Sequence, residues 1–166
     1  MKNIKHKKIY LLIYILLIIK CVIITAQINA LNLGQTPQNA ISIFPAGFHT
    51  DEINKNINFK FYSISYKGYI ISSFENSFKD NTYSIGINKN ITSKNKITIG
   101  YSAGLLYGYN GKLSNTKGIP FRKTFLFQGD INPFLGLNIS YKLTKKIEFA
   151  TFLEPLVIIY GFNFLY

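Results

Sequence analysis

The sequence is poor in the residues that most often carry out chemistry in proteins. Its single cysteine, Cys21, lies within the first 30 residues, so the rest of the chain has no thiol for a disulfide bond or for catalysis. Of its two histidines, His6 and His49, only the second follows residue 30, and one histidine cannot build a multi-histidine metal site. No phosphate-binding glycine loop or nicotinamide fingerprint is present. We therefore predict neither a metal nor a cofactor.

The first 30 residues have the pattern of an export signal. A basic start and the apolar run 9–19 are followed by Lys20 and then by small residues around Ala26 and Ala30. This order predicts a signal peptide over residues 1–30 and a mature domain over residues 31–166. A retained membrane anchor is the alternative, although Lys20 interrupts the span of about 20 apolar residues that a membrane helix needs.

Acidic residues are also scarce, with seven against 19 basic ones. All seven acidic residues and 14 of the basic residues follow residue 30, which leaves that part with a net charge of +7. A positive charge can indicate nucleic acid binding, but an exported chain does not meet nucleic acid, so no such partner is predicted. Anionic lipid head groups or lipopolysaccharide phosphates fit the charge better.

Alternation of side chains is the main structural signal after residue 30, where no run is apolar enough to cross a membrane as a helix. The last eleven residues place one apolar side chain at every second position: Leu156, Ile158, Tyr160, Phe162, Phe164 and Tyr166. Residues 97–109 alternate in the same way, with small or polar residues on the other face. This is the period of a β-strand, and an apolar strand with a terminal aromatic is typical of outer-membrane barrels. The 14 Phe and 12 Tyr suit their aromatic girdles.

We predict an all-β fold, an eight-stranded antiparallel transmembrane β-barrel that is a monomer in the cell outer membrane. The predicted strands are 40–48, 57–66, 69–76, 81–89, 96–109, 133–142, 146–153 and 156–166. The longest connection, 110–132, lies outside the cell if the N-terminus is periplasmic. A small soluble barrel of the lipocalin type is the alternative. It would prefer an apolar interior, whereas the inward positions here are small and polar.

Two residues that could support acyl transfer are expected at the external rim of this barrel. His49 ends the first strand and Ser77 follows the third, and these two strands run in the same direction. A histidine that removes a serine proton is the minimal arrangement for attack on an ester. An ordinary rim histidine is the alternative, because strict alternation from Ile41 puts His49 on the lipid-facing side. A bulge at residues 45–47 would reverse that orientation.

Several segments resemble the lipid A palmitoyltransferase family, including similar short proteins encoded by phages. They are residues 68–77, 84–86, 97–108, 118–120, 132–135 and the aromatic strand after Pro155. The resemblance extends over roughly residues 40–166 in separate islands. It implies an eight-stranded outer-membrane barrel that transfers an acyl chain from a phospholipid donor to a lipid A acceptor.

The resemblance also implies roles for individual residues. His49 matches the family's histidine, the expected base, and Ser77 matches its serine, as nucleophile or as the hydroxyl that orients the acceptor. Asn76 stands where the family has an aspartate; it would act as orienter, but an amide cannot carry the negative charge that stabilises a protonated histidine. Asn88 matches the small inward residue that sets acyl-chain length, which leaves specificity for palmitate in doubt.

Two prolines near the outer ends of neighbouring strands, Pro133 and Pro155, predict a route for lipid. Proline cannot donate a hydrogen bond to a β-ladder, so a pair of prolines would leave a gap for lateral lipid access. The alternative is that each simply starts or ends a strand.

For the whole protein, the rival hypothesis is a non-catalytic surface barrel with a structural or binding role. A lipid A deacylase is a third, which would need Glu75 or Asp51 near the histidine.

Overall fold

The computed structural model describes residues 34–50 and 56–166, so the predicted signal peptide lies outside the described residues. Eight antiparallel strands pair in sequence order, and the last pairs with the first to close a barrel. The prediction of an eight-stranded antiparallel barrel is confirmed. The strands are β1 (Ala40–His49), β2 (Asn56–Tyr66), β3 (Tyr69–Glu75), β4 (Asn81–Lys94), β5 (Ile97–Tyr107), β6 (Ile131–Lys142), β7 (Ile147–Leu153) and β8 (Val157–Leu165).

The outer surface of the barrel is apolar and exposed. Ile64, Ile71, Ile85 and Leu135 are each more than half exposed, and Tyr62, Tyr66 and Tyr69 lie among them. A folded protein in water rarely leaves so continuous an apolar surface uncovered. The exposed belt is compatible with an outer-membrane protein. Among the described residues, we find no helix of the length and apolarity required to cross a membrane.

One irregularity in β1 decides which residues face the interior. Before it, Ile41 and Ile43 are exposed and Ser42 is buried; the ladders to β2 and β8 then both shift register before Ala46. Pro45 lies at the shift, where the lack of an N–H group removes no regular ladder bond. The β-bulge reverses the alternation, so that His49 lines the interior cavity rather than the exposed apolar outer surface.

Several strand boundaries differ from the prediction because turn-forming residues continue the sheet. We predicted a connection over residues 89–95, but β4 extends to Lys94 with a register shift between Asn90 and Thr92. Conversely, β5 ends at Tyr107, and Gly108 follows with a φ of 118°. The next strand starts at Ile131, so Pro133 lies inside β6 and does not begin it.

The interior of the barrel is not filled by side chains. Serine, glycine and alanine occupy many of the inward positions, and the interior holds a cavity of about 1430 Å³. An eight-stranded barrel is just wide enough for ordinary inward side chains to fill it, so the small residues are the cause of the open volume. Its lining runs from Gln35 at one end to Ile119 and Phe121 at the other.

Replacing Gly161 of β8 by alanine should destabilise the barrel, because the residue lies against the β1 bulge. A Cβ atom there would collide with the Ile43 carbonyl oxygen and would come within 2.6 Å of the Phe44 Cα. We expect Gly161→Ala to lower the free energy of unfolding by about 1–3 kcal/mol, as overpacked interiors do. Denaturant titration of the barrel in lipid vesicles measures the loss.

The matched control is Gly129→Ala, because a Cβ at Gly129 meets no atom within 4 Å. This variant should unfold at the wild-type denaturant concentration. Equal stability of Gly161→Ala and Gly129→Ala would contradict the proposed fit between the bulge and β8.

Candidate functional site

His49 and Ser77 meet at the outer end of the barrel, although they are 28 residues apart in sequence. The His49 Nε2 and Ser77 Oγ atoms lie 2.8 Å apart, within hydrogen-bond distance. His49 is the last residue of β1, and Ser77 lies in the turn after β3. Both residues line the interior cavity, and the serine is exposed enough for a ligand to reach it.

The other ring nitrogen of His49 fixes the orientation and the tautomer of the imidazole. His49 Nδ1 lies 3.1 Å from the carbonyl oxygen of Leu156, in the connection between β7 and β8. A carbonyl oxygen only accepts hydrogen bonds, so Nδ1 carries the proton and donates it. In the neutral ring, Nε2 is then unprotonated and accepts a hydrogen bond from the Ser77 hydroxyl. This is the arrangement that a general base requires before it removes a serine proton.

Asn76 is buried and organises the turn that carries Ser77. Its Oδ1 atom accepts hydrogen bonds from the backbone N–H groups of Phe78 (2.8 Å) and Asp80 (3.1 Å). Its Nδ2 atom donates to Thr82 Oγ1 (2.9 Å) and to the Gly108 carbonyl oxygen (3.2 Å). Asn76 therefore positions the serine through the backbone, and the Leu156 carbonyl is the group that orients His49.

These contacts explain why an amide, and not a carboxylate, suits position 76. Two backbone N–H groups require an acceptor on one side of the Asn76 side chain, and the Gly108 carbonyl requires a donor on the other. A carboxylate would place an unprotonated oxygen against the Gly108 oxygen in a buried position, at an energetic cost.

Glu154 is a site residue that the sequence interpretation missed. It lies just beyond β7, lines the cavity and is half-buried. Burial raises the pKa of its carboxyl from the ordinary 4.5 to about 7. Tyr109 faces the same region, and burial together with the negative charge of Glu154 raises the pKa of its hydroxyl. A glutamate before a proline is typical of a turn, so the local sequence gave no signal of its environment.

Of the two carboxylates expected for a deacylase, only Glu75 lies within the described residues. Glu75 forms an ion pair with Lys79, 3.1 Å from Oε1 to Nζ. Asp51 lies outside the described residues. In the described ranges, 34–50 and 56–166, no group of three or more metal-ligating side chains is present.

An apolar chamber lies on the inner side of the histidine and serine. Phe44, Phe61 and Phe74 line it from three neighbouring strands, with ring centroids 5.4 Å apart for the first two and 5.2 Å apart for the second and third. Ala150 and Ile159 complete a packed cluster with Phe44 on the β7 and β8 side. The chamber offers hydrocarbon surface of the kind that a lipid chain would contact.

Asn88 lies on the interior wall, deeper than this chamber. Its Oδ1 atom accepts a hydrogen bond of 2.9 Å from the Asn138 amide, which also donates to Ser102 Oγ at 2.8 Å. The Asn88 side chain is therefore fixed on the cavity wall by Asn138 of β6, which Ser102 of β5 holds in turn. A polar side chain at this depth limits the length of the purely apolar volume.

Pro133 and Pro155 flank a lateral opening in the wall. The ladder between β6 and β7 stops at the pair Leu137 and Leu153, so residues 131–136 of β6 are paired only with β5. A pocket of about 380 Å³ lies there on the outer face. Leu135, Glu154 and Pro155 line both this pocket and the interior cavity.

A second interrupted ladder, which the sequence interpretation did not include, lies between β2 and β3. Their last pair is Tyr62 with Ser73, whereas β2 begins at Asn56. The stacked rings of Phe61 and Phe74 bridge these strands. In an eight-stranded barrel, this position is opposite the opening between β6 and β7.

The long connection between β5 and β6 places basic and aromatic side chains at the end of the barrel where His49 and Ser77 lie. It contains two short 3-10 helices, Lys112–Asn115 and Phe125–Phe127. Phe121 and Phe125 are about 80% exposed, and Arg122 and Lys123 lie between them. The Lys112 ammonium forms an ion pair with Asp80, and this contact joins the connection between β5 and β6 to the turn that contains Ser77.

The raised pKa of Glu154 predicts that the barrel loses stability as the pH rises from 4.5 to about 7. In this window the unfolded carboxyl has already lost its proton and the folded one still holds it, so rising pH favours unfolding. Glu154→Gln cannot ionise and should remove this part of the pH dependence. Denaturant midpoints of both proteins across the window measure it, and identical slopes would contradict the assignment.

Comparison with protein-family models gives no match, and searches of curated proteins and of solved structures give none either.

Proposed function

We propose that this chain is an outer-membrane acyltransferase that resembles the lipid A palmitoyltransferase family and moves an acyl chain from a phospholipid to lipid A. The observation that carries the proposal is the 2.8 Å contact between His49 Nε2 and Ser77 Oγ at the mouth of an apolar chamber. A filled interior would favour a purely structural barrel. The open interior volume of about 1430 Å³ exceeds that of most small-molecule pockets.

The proposed reaction begins when Ser77 Oγ attacks the ester carbonyl of the phospholipid while His49 Nε2 takes its proton. The tetrahedral intermediate collapses with cleavage of the ester bond, and the leaving lysophospholipid alkoxide receives that proton from His49. A hydroxyl of lipid A then loses its proton to His49 and attacks the acyl–serine ester. The bond from the acyl carbon to Ser77 Oγ breaks, and Ser77 Oγ takes that proton back from His49. In the alternative role, Ser77 orients the lipid A hydroxyl for direct attack.

The group that stabilises a protonated His49 is the dipole of the Leu156 carbonyl and not a negatively charged side chain. The Leu156 carbonyl oxygen accepts from Nδ1 in both protonation states, and its hydrogen bond strengthens when the ring becomes positive. A neutral partner stabilises the imidazolium less than a carboxylate does. We therefore expect slow turnover.

Lipid access is proposed through the opening between Pro133 and Pro155. The cavity and the outer pocket share lining residues there, so a chain could pass sideways from the membrane without leaving hydrocarbon. The apolar chamber then holds the acyl chain, and the bonded pair of Asn88 and Asn138 limits its depth.

A second candidate function is a non-catalytic surface barrel that binds lipopolysaccharide. The exposed Phe121 and Phe125 beside Arg122 and Lys123 favour it, because aromatic and cationic side chains together suit a phosphorylated lipid surface. If the wild-type barrel binds lipid A in reconstituted membranes but transfers no acyl chain, this candidate replaces the enzyme.

Ser77→Ala should lower acyl transfer by about 10²-fold or more, because it removes the hydroxyl that the histidine activates. The assay follows a labelled acyl chain from phospholipid to lipid A in reconstituted membranes. Ser73→Ala is the matched control, since Ser73 is an exposed serine of β3, the strand that precedes the turn with Ser77. Equal transfer by wild type and Ser77→Ala would exclude the serine's role, and no transfer by the wild type would exclude the enzyme.

Asn76→Asp should lower both stability and transfer, although it restores the residue of the family. The new carboxylate oxygen would face the Gly108 carbonyl oxygen in a buried position, which should cost about 1–3 kcal/mol of unfolding free energy. Asn81→Asp is the control, because Asn81 is exposed and lies close by in sequence. A faster Asn76→Asp enzyme would contradict the turn-forming role given to the amide.

A further inference from the structure

A row of serines crosses the interior wall one inward position deeper than the phenylalanines of the chamber. Its members are direct neighbours across three successive ladders, because Ser42 pairs with Ser63, Ser63 with Ser72, and Ser72 with Ser84. Each is less than 9% exposed, and all four line the cavity. We call these four residues the serine row.

Polar residues continue the serine row onto the other side of the barrel. Asn163 of β8 pairs with Ser42, and Glu148 of β7 pairs with Asn163 and accepts a hydrogen bond from its amide at 3.3 Å. The serine row itself carries no charge, and Glu148 beyond it pairs with Lys142 of β6. The chemistry of the four serines therefore suits a neutral group that can both donate and accept hydrogen bonds.

One member of the serine row has no hydrogen-bond partner. Ser72 and Ser84 bond to each other, whereas Ser63 Oγ has none although the residue is only 4% exposed. A buried hydroxyl without a partner is unfavourable, so such groups are usually satisfied by something. Ser63 lies on the cavity wall, where a ligand can reach it.

We propose that the serine row binds a hydroxyl group within the acyl chain of a lipid. The part of the chain before the hydroxyl contacts Phe44, Phe61 and Phe74, and the hydroxyl bonds to Ser63. A plain hydrocarbon chain at the same depth would leave the Ser63 hydroxyl unpaired. The site therefore selects a hydroxylated chain over an unmodified one. This inference rests on the proposed function only in assuming that the chamber holds an acyl chain.

The depth of the serine row specifies where on the chain the hydroxyl must lie. From His49 to Ser42 the strand covers about 20 Å, allowing for the bulged residue, and a strand tilt near 40° reduces this to about 15 Å along the barrel. A hydroxyl near the ester would stay beside His49 and Ser77. Only a hydroxyl near the middle of a long chain reaches the row.

Direct ligand binding tests the inference without requiring turnover. The probes are octadecanoic acid, its derivative hydroxylated next to the carboxyl end, and its derivative hydroxylated in mid-chain. Their dissociation constants are measured by displacement of a fluorescent fatty acid from the full barrel in lipid nanodiscs. Wild type should bind the mid-chain derivative about two- to tenfold more tightly than either other probe, the effect of one added hydrogen bond.

Ser63→Ala should abolish this preference and bind octadecanoic acid at least as tightly as wild type does, because it removes the hydroxyl that a plain chain buries without a partner. The retained binding also shows that the variant is folded. Ser93→Ala is the control, because Ser93 is an exposed serine that bonds to Thr98 near the other end of the barrel; it should keep the preference. No preference in wild type, or the same preference in Ser63→Ala, would overturn the serine-row proposal alone. Failure of every probe to bind would overturn it together with the acyl-chain chamber.

Discussion

The bulge at Pro45 is the constraint on which the candidate site depends. Without it, His49 would follow Ile41 and Ile43 onto the exposed apolar surface, because side chains alternate strictly along a regular strand. The shift needs room on both neighbouring strands, and Gly161 of β8 provides it by keeping a Cβ away from the β1 backbone. A proline in one strand and a glycine in the next thus place His49 in the interior rather than on the exposed apolar surface.

The turn after β3 depends on a comparable balance of donors and acceptors. The Asn76 side chain faces two N–H groups on one side and a carbonyl on the other, so only an amide satisfies the whole set. The absence of a carboxylate at position 76 does not by itself imply that His49 cannot act as a base. In this chain the Leu156 carbonyl fixes the ring, and the amide fixes the serine. The two tasks are divided between two turns.

The fold could be predicted from the sequence because its signal repeats along every strand, as in the alternating run to Tyr166. The meeting of His49 and Ser77 at one rim followed from strand direction alone. The orientation of His49 could not be decided, since a bulge breaks the period from which orientation is read. Glu154 and the pairing of Leu156 with His49 were missed, because a Glu-Pro turn has the same local sequence whether or not a distant strand end packs against it.

The same small inward residues that open the barrel also divide its interior into two environments. Phenylalanines from β1, β2 and β3 make the outer part apolar, and the serine row makes the next layer polar within one inward position of each strand. An alkyl chain gains free energy in the first layer and loses it in the second, because it buries hydroxyls without bonding them. The boundary between the layers, rather than the total volume, therefore determines which chains fit. Asn88 of β4 and Asn138 of β6 form a further polar pair deeper in the cavity.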